Sequence, residues 1–233
     1  MRIIVTGATK GIGRAITEIF AAKGFDVAIC ARDEADVKKL AGQLKNHYPD
    51  IEVIAVAADM SVREDIYRFA EAIKERWDSA EVLINNAGVF LPGNVTTEPE
   101  GTLEKLIETN LYSAYYMTRE VLPLLQANDR GHVFNMASVA GLKAYPNGGS
   151  YSISKFAMIG LSKAQREELK EQHIRVTTVM PGAVLTASWE GVDLPKERFI
   201  DVEDLAQLIF DTYKLSYRTV VEDLVIRPML GDI

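Results

Sequence analysis

Several things are scarce in this chain, and each scarcity removes a class of function. Cys30 is the only cysteine, so no internal disulfide can form and a reducing compartment, the cytoplasm, is the expected setting. The three histidines, His47, His132 and His173, are scattered without metal-ligand spacing, and no metal is expected. Basic charge is in deficit: 26 Lys and Arg face 33 Asp and Glu, a net −7. That balance argues against a nucleic-acid partner and a polybasic membrane anchor. No run of about twenty apolar residues could span a bilayer, and Met1-Arg-Ile-Ile-Val enters an apolar strand with no signal segment before it. Repeats, low-complexity tracts and Pro/Gly linkers are also missing, so residues 1–233 are expected to form one domain.

What the chain does contain is alternation. Arg2–Thr6 is an apolar run of strand type, broken by Gly7-Ala-Thr-Lys-Gly11-Ile-Gly13. Ile12, Ile16, Ile19 and Phe20 then recur at helical spacing until Lys23-Gly24. Further strands are predicted over 25–31, 51–57, 81–84, 132–137, 174–180 and 219–226. Helices are predicted over about 34–47, 62–77, 101–125, 150–171 and 201–213, with 183–200 as loop or broken helix. Asp33 reads as the N-cap of the second helix, with Asp36 three residues on, and Asp59 as a cap for the third. Unbroken strand–helix alternation specifies an α/β fold with a doubly wound parallel sheet, Rossmann-like. In such sheets ligands sit beyond the carboxyl ends of the strands. Gly7–Gly13, Arg32, Asp59, Asn85–Gly88, Ser138 and Pro181-Gly182 all follow strands, which places them on one rim.

The chemistry concentrates between Ser138 and Lys155. Tyr151 and Lys155 are four apart and share a helix face. A phenol normally titrates near pH 10, and an ammonium held close favours its ionised form. Ser138, thirteen residues upstream across a Gly/Pro-rich turn, can aim its hydroxyl at the same spot. Such a trio handles a proton at a carbonyl oxygen. Tyr-x-x-x-Lys by itself is common in helices; its weight comes from the glycine turn before it. A strand, a glycine turn and a helix form a phosphate-receiving arrangement, although Gly-x3-Gly-x-Gly differs from the commoner Gly-x-Gly-x2-Gly.

Six motifs stand in one order: Thr6-Gly7-x3-Gly11-x-Gly13, Asn85-Asn-Ala-Gly88, Asn110, Ser138, Tyr151-x3-Lys155 and Pro181-Gly-x-Val-x-Thr186. Together they resemble the short-chain dehydrogenase/reductase family, in its compact single-domain branch, over essentially the whole chain. The resemblance implies an oxidoreductase moving a hydride between NADP(H) and a carbonyl or secondary alcohol. It assigns Tyr151 as general acid/base, Ser138 as hydrogen-bond partner of the substrate oxygen, and Lys155 as the group that lowers the tyrosine pKa and holds the nicotinamide ribose. Asn110 would secure a water that relays protons from Lys155. The cofactor would lie on Gly7, Thr9, Lys10, Gly11, Ile12 and Gly13, with Asp59 and Met60 at the adenine and Asn86-Ala87-Gly88 along the middle. Pro181, Gly182, Val184 and Thr186 would hold the nicotinamide amide.

An acid at the end of the second strand selects NAD in this family. Ala31 and Arg32 stand there instead and Lys10 lies inside the turn, so NADP(H) is expected in preference to NAD(H). The substrate pocket is expected between Ala140, Leu142 and Tyr145 on one side and Trp189 and Phe199 on the other, with Leu91 nearby. That lining suits an apolar or aromatic small-molecule carbonyl compound, with general ketones or aldehydes and 3-oxoacyl thioesters as candidates. The acidic overall charge and the non-basic Glu171-Gln172-His173 disfavour an acyl-carrier partner. The rival reading is a catalytically idle NADP-sensing protein on the same fold. Small residues along the Tyr151 helix (Ile153, Ala157, Gly160, Leu161, Ala164) and apolar ones on the long helix (Leu106, Leu111, Tyr112, Tyr115, Tyr116, Val121) give the expectation of a homodimer or homotetramer.

Overall fold

A computed structural model describes every residue except 187, 188, 190 and 192. Those four fall in the stretch read as loop or broken helix, and that reading lies, for them, outside the described residues. Seven strands, β1 (Arg2–Thr6), β2 (Asp26–Ala31), β3 (Val53–Ala57), β4 (Val82–Asn85), β5 (His132–Met136), β6 (Arg175–Pro181) and β7 (Asp223–Ile226), form one sheet in the order β3-β2-β1-β4-β5-β6-β7. Every pairing is parallel, with Thr6 opposite Cys30, Val5 opposite Ile84, Asn85 opposite Asn135 and Met136 opposite Val179. The strand order turns back between β1 and β4, which opens the crevice in which ligands settle on such sheets.

The helices are α1 (Gly11–Ala22), α2 (Glu34–His47), α3 (Arg63–Lys74), α4 (Thr102–Ile107), α5 (Ser113–Gln126), α6 (Gly149–Leu169) and α7 (Val202–Lys214). The two-residue period of the strands sorts their side chains between two cores. Ile3 and Val5 of β1 and Val27 and Ile29 of β2 pack with Ile16 and Phe20 of α1, Leu40 of α2 and Ile209 of α7. Their neighbours Ile4, Ala28 and Cys30 face the other way, onto Ile66 and Phe69 of α3 and Met117 and Val121 of α5. An edge-to-face pair at 5.1 Å (Phe20–Phe210) fastens α7 to α1, and another at 5.0 Å (Phe20–Phe25) ties α1 to the entry of β2.

Four expectations need correction or detail. The long helix spans Thr102–Gln126 as expected but is not α throughout: Glu108–Tyr112 is a π-turn between α4 and α5, centred on Asn110. Asp59 does not cap α3. The cap position is Val62, and Asp59 Oδ1 instead accepts from Ser61 N (2.9 Å) and Ser61 Oγ (2.7 Å) in a local turn. Val121 and Leu106 are fully buried in the chain's own core rather than offered outward. The last strand begins at Asp223, not Thr219, where its register with β6 starts at Thr178; before it, Val221 O accepts from the Thr177 side chain at 2.6 Å. Asp33 does cap α2, accepting from Asp36 N at 2.8 Å.

Candidate active site

The cleft begins where β1 runs out. Thr6 Oγ1 accepts from both Asn86 N and Ala87 N at 3.0 Å, and Asn86 Nδ2 donates to the carbonyls of Thr6 and Gly7 at 3.0 Å. These bonds stitch the glycine turn to the Asn85–Gly88 turn across the switch point. The packing leaves no room for a side chain at Gly13: a Cβ there would stand 2.3 Å from Gly7 O and 2.4 Å from Asn86 Nδ2. Gly13 thus supports the cradle from behind, while Gly7, Thr9, Lys10, Gly11 and Ile12 border the cleft itself. The cap residue of α1, Lys10, makes no side-chain capping bond, so the helix presents its backbone N–H groups to the same space.

From this turn a cleft of about 1230 Å³ runs the length of the rim. One end is lined by Arg32, Asp33, Asp36, Asp59 and Met60, the middle by Asn86, Ala87 and Gly88, and the other end by Ser138, Tyr151, Lys155, Pro181, Gly182, Val184 and Thr186. The expected cofactor residues are therefore brought together on one wall system, with Gly13 and Asn110 just behind it. At the Arg32 end, Lys10 Nζ lies 2.9 Å from Asp36 Oδ2, so the carboxylate expected to complete the α2 cap goes to a cation instead.

At the other end Ser138 and Lys155 are buried. Ser138 lies two residues past β5, its Oγ accepting from Ala140 N (3.1 Å) and donating weakly to Pro181 O (3.4 Å). Tyr151 lies in the first turn of α6, and Lys155 follows one turn later, buried, with Nζ 5.7 Å from the Tyr151 ring centre and donating to Met136 O at 2.8 Å. Burial pushes the Tyr151 phenol up to about 12, against the pull of the Ser138 hydroxyl beside it. Burial likewise pulls the Lys155 ammonium down to about 8. Desolvation thus dominates both groups at this end of the cleft. Asn110 is buried and fully used, Oδ1 accepting from Val89 N (2.7 Å) and Nδ2 donating to Val89 O and Ser154 Oγ (3.0 Å each).

Of the expected substrate wall, Ala140, Tyr145 and Trp189 border the cleft, and Phe199 backs Trp189 with ring centres 5.3 Å apart. Leu142 is exposed to solvent, and Phe90 rather than Leu91 reaches the site, its ring edge-on to Tyr151 at 4.9 Å. The sequence reading missed Phe90 and the C-terminal residues Arg227, Asp232 and Ile233, which also line the cleft. A signal existed for both. Phe90 lies two residues past the Asn85–Gly88 turn, and Arg227 follows a strand end on the same rim.

A short chain dehydrogenase family model matches residues 1–196. The chain belongs to that family. The chain is 33% identical over 239 residues to the sepiapterin reductase of Chlorobaculum tepidum, covering 99% of this chain and 97% of that one. Among solved structures, an alcohol dehydrogenase from the archaeon Thermococcus sibiricus complexed with 5-hydroxy-NADP superposes with a TM-score of 0.91 at 26% identity, covering 100% of this chain and 98% of that one. A metagenomic short-chain oxidoreductase in complex with NADP gives 0.84 at 28%, covering 99% and 98%. As a short-chain dehydrogenase, this protein pairs the glycine cradle with a hydroxyl, a phenol and an ammonium at the far end of one cleft, an arrangement able to bind a dinucleotide and exchange a proton with a bound oxygen. Among the described residues no helix is long and apolar enough to cross a membrane.

Proposed function

We propose that this short-chain dehydrogenase is an NADP(H)-dependent reductase of small carbonyl compounds. The observation that carries the reading is the convergence of Ser138, Tyr151 and Lys155 on one wall of the cleft that the glycine cradle opens. The cradle fits a dinucleotide: its backbone is open where phosphates would lie, and Gly13 gives up its side chain to keep it so. Gly7–Gly13 would hold the pyrophosphate, Asp59 and Met60 the adenine, Lys10 and Arg32 the 2′-phosphate, and Lys155 the nicotinamide ribose. Asn86–Gly88 would line its middle, and Pro181, Gly182, Val184 and Thr186 would hold the amide. When bound, the cofactor supplies or accepts the hydride.

The chain's own part is proton handling. Tyr151 gives its proton to the substrate oxygen, and the Ser138 hydroxyl donates a hydrogen bond to that oxygen as charge grows on it. In carbonyl reduction the phenol is the donor, and the same group takes the proton back in the reverse reaction. The names of the relatives, a sepiapterin reductase and an NADP-bound oxidoreductase, support the reductive direction and the cofactor. Ala140, Tyr145, Phe90 and Trp189 give the substrate end an apolar, aromatic lining suited to a compact ketone or aldehyde. We further place the protein in the cytoplasm, on its lone buried Cys30, and read it as a homo-oligomer.

The test is Tyr151→Phe assayed by NADPH oxidation against a panel of ketones, aldehydes, quinones and 3-oxoacyl thioesters. Turnover should fall by about 10²–10⁴-fold while NADPH binding stays near normal, since only the donor proton is lost. A loss below tenfold would identify a different acid. NADPH binding without turnover of any carbonyl in the unaltered protein would instead support a cofactor sensor.

A further inference from the structure

Tyr151 sits in the first turn of a helix whose own sequence provides little to start it. Gly148 holds the cap position and Gly149 follows, so neither offers a side-chain acceptor for the amides of that turn. The acceptor comes from 52 residues away: Glu98 Oε2 takes the Ser150 N–H at 3.3 Å, and Glu98 Oε1 takes the Ser150 hydroxyl. Ser150 is 1% exposed, so this carboxylate meets a buried partner. It also lies at the positive end of the 21-residue helix α6, where a negative charge is favoured.

The backbone is cleared for this contact. A Cβ on Gly149, whose φ is +37°, would stand 2.5 Å from Gly93 O and 2.8 Å from Glu98 Oε2, and one on Gly93 would stand 3.1 Å from Glu98 Cβ. Gly93 N donates to Asn147 O at 3.0 Å, and Gly93 pairs with Gly148 as an isolated bridge. The other end of the same loop is also tied to α6, since Asn110 holds both Val89 and Ser154. Ser150 and Ser154 are one turn apart on α6, and Tyr151 and Lys155 are the residues that follow each. The loop between the two ties carries Phe90, whose ring abuts Tyr151.

We propose that Glu98 is a positioning residue of the reaction, acting through Ser150 to fix the first turn of α6 and, with it, the Tyr151 phenol against Phe90. The proposal rests on the reading of Tyr151 as proton donor. Its own content is that one side chain outside the cleft sets where that donor stands.

The test compares Glu98→Ala, Glu98→Gln and the parent by two readouts. Hydrogen exchange of peptides spanning 148–156 in the cofactor-free protein reads the latch directly. It should quicken in Glu98→Ala while sheet peptides stay unchanged, and unchanged exchange would overturn the latch. The second readout is steady-state reduction of the best carbonyl from the panel. In Glu98→Ala kcat should fall about tenfold, with the carbonyl KM and the NADPH Kd within about threefold, because misplacing a reacting group costs rate more than binding. Glu98→Gln keeps an oxygen acceptor for Ser150 and should recover most of kcat. Quickened exchange with kcat within twofold of the parent would overturn the positioning role, as would a Gln variant as slow as the Ala variant. A parent that reduces no carbonyl would defeat the proposed function alone, and the exchange readout would still decide whether Glu98 holds the helix.

Discussion

Lys10 and Arg32 are the two cations at the end of the cleft where the proposed cofactor would place its adenosine ribose, and Lys10 already has an anion, Asp36, 2.9 Å away. A 2′-phosphate arriving there would compete with that carboxylate, so the proposed preference for NADPH should be tempered by Asp36 and carried by the pair of cations. Neutralising both with Lys10→Gln and Arg32→Gln should lower the ratio of NADPH to NADH affinity at least tenfold, given about 1.5–3 kcal/mol for a charge-assisted contact less the screening of exposed groups. Asp36→Asn should move the ratio the other way, by a few fold. Cofactor titrations by fluorescence check both, and equal affinities for the two cofactors in the parent would end the assignment. Lys155 makes a second residue-scale prediction through pH. Burial lowers its folded pKa to about 8 from 10.5, so between those values the unfolded chain holds a proton that the folded chain has shed. Stability contributed at this site is therefore lowest below pH 8 and rises with pH through the window. Tyr151, raised from 10.0 to about 12, acts only above pH 10 and in the opposite sense. Urea unfolding at pH 7 and 9.5 should show the parent gaining on the order of 2 kcal/mol relative to Lys155→Met. Parallel pH slopes for the two proteins would contradict it.

At the scale of elements, the strands were legible because a buried parallel strand is written as a short apolar run, and β1 came out at Arg2–Thr6 as read. The cap of α2 was legible for a similar reason, since Asp33 and its bond to Asp36 N are local. The π-turn at Glu108–Tyr112 was not, because it is defined by backbone hydrogen bonding and has no residue pattern of its own. Its trace in the sequence was Asn110 itself, a polar residue in a helix interior whose partners, Val89 and Ser154, come from other elements. Asp59 misled for the opposite reason: its neighbour Ser61 satisfies it locally, and spacing cannot distinguish a turn from a cap. The cradle residues and Ser138 stood out because they follow strands, and Tyr151 and Lys155 because of their spacing on one helix, whereas Glu98 lies within a loop whose path only the fold determines. One element-scale prediction follows from the glycine cradle. Gly13→Ala forces a methyl against Gly7 O and Asn86 Nδ2, where both sides are backbone or a bonded amide. Overpacking of this kind costs about 1–3 kcal/mol. Urea unfolding should show that loss, and NADPH affinity should drop at least tenfold as the turn shifts. An alanine variant with parental stability and affinity would show that the turn can yield.

The molecule as a whole gathers its chemistry on one rim of a seven-stranded sheet and leaves the outer faces of the helices that carry it apolar. On α6, Ile153 and Phe156 are 41% and 47% exposed, and with Ala157 and Gly160 they fall at steps of three and four along one face. Tyr112 and Tyr115 are exposed alongside, at 46% and 40%, on the π-turn and the start of α5. Leu161, by contrast, packs inward against the cluster of Ala114 and Met158, so the outward stripe is narrower than the sequence alone suggests. A large exposed apolar face of this kind is a liability for a monomer and a ready surface for a two-fold contact, in which each residue meets its own symmetry mate or that of a neighbour. Gly160 is the cleanest probe, because a Cβ added there meets nothing within 4 Å and the protomer should fold unchanged. Gly160→Asp would place two like charges across a two-fold axis at close range. Light scattering at micromolar concentration should show the parent as a dimer or tetramer and Gly160→Asp shifted towards monomer. Activity should fall with it, because Tyr151 and Lys155 ride on the helix whose outer face is then uncovered. A parent that is monomeric and fully active at that concentration would leave the apolar stripe without this role.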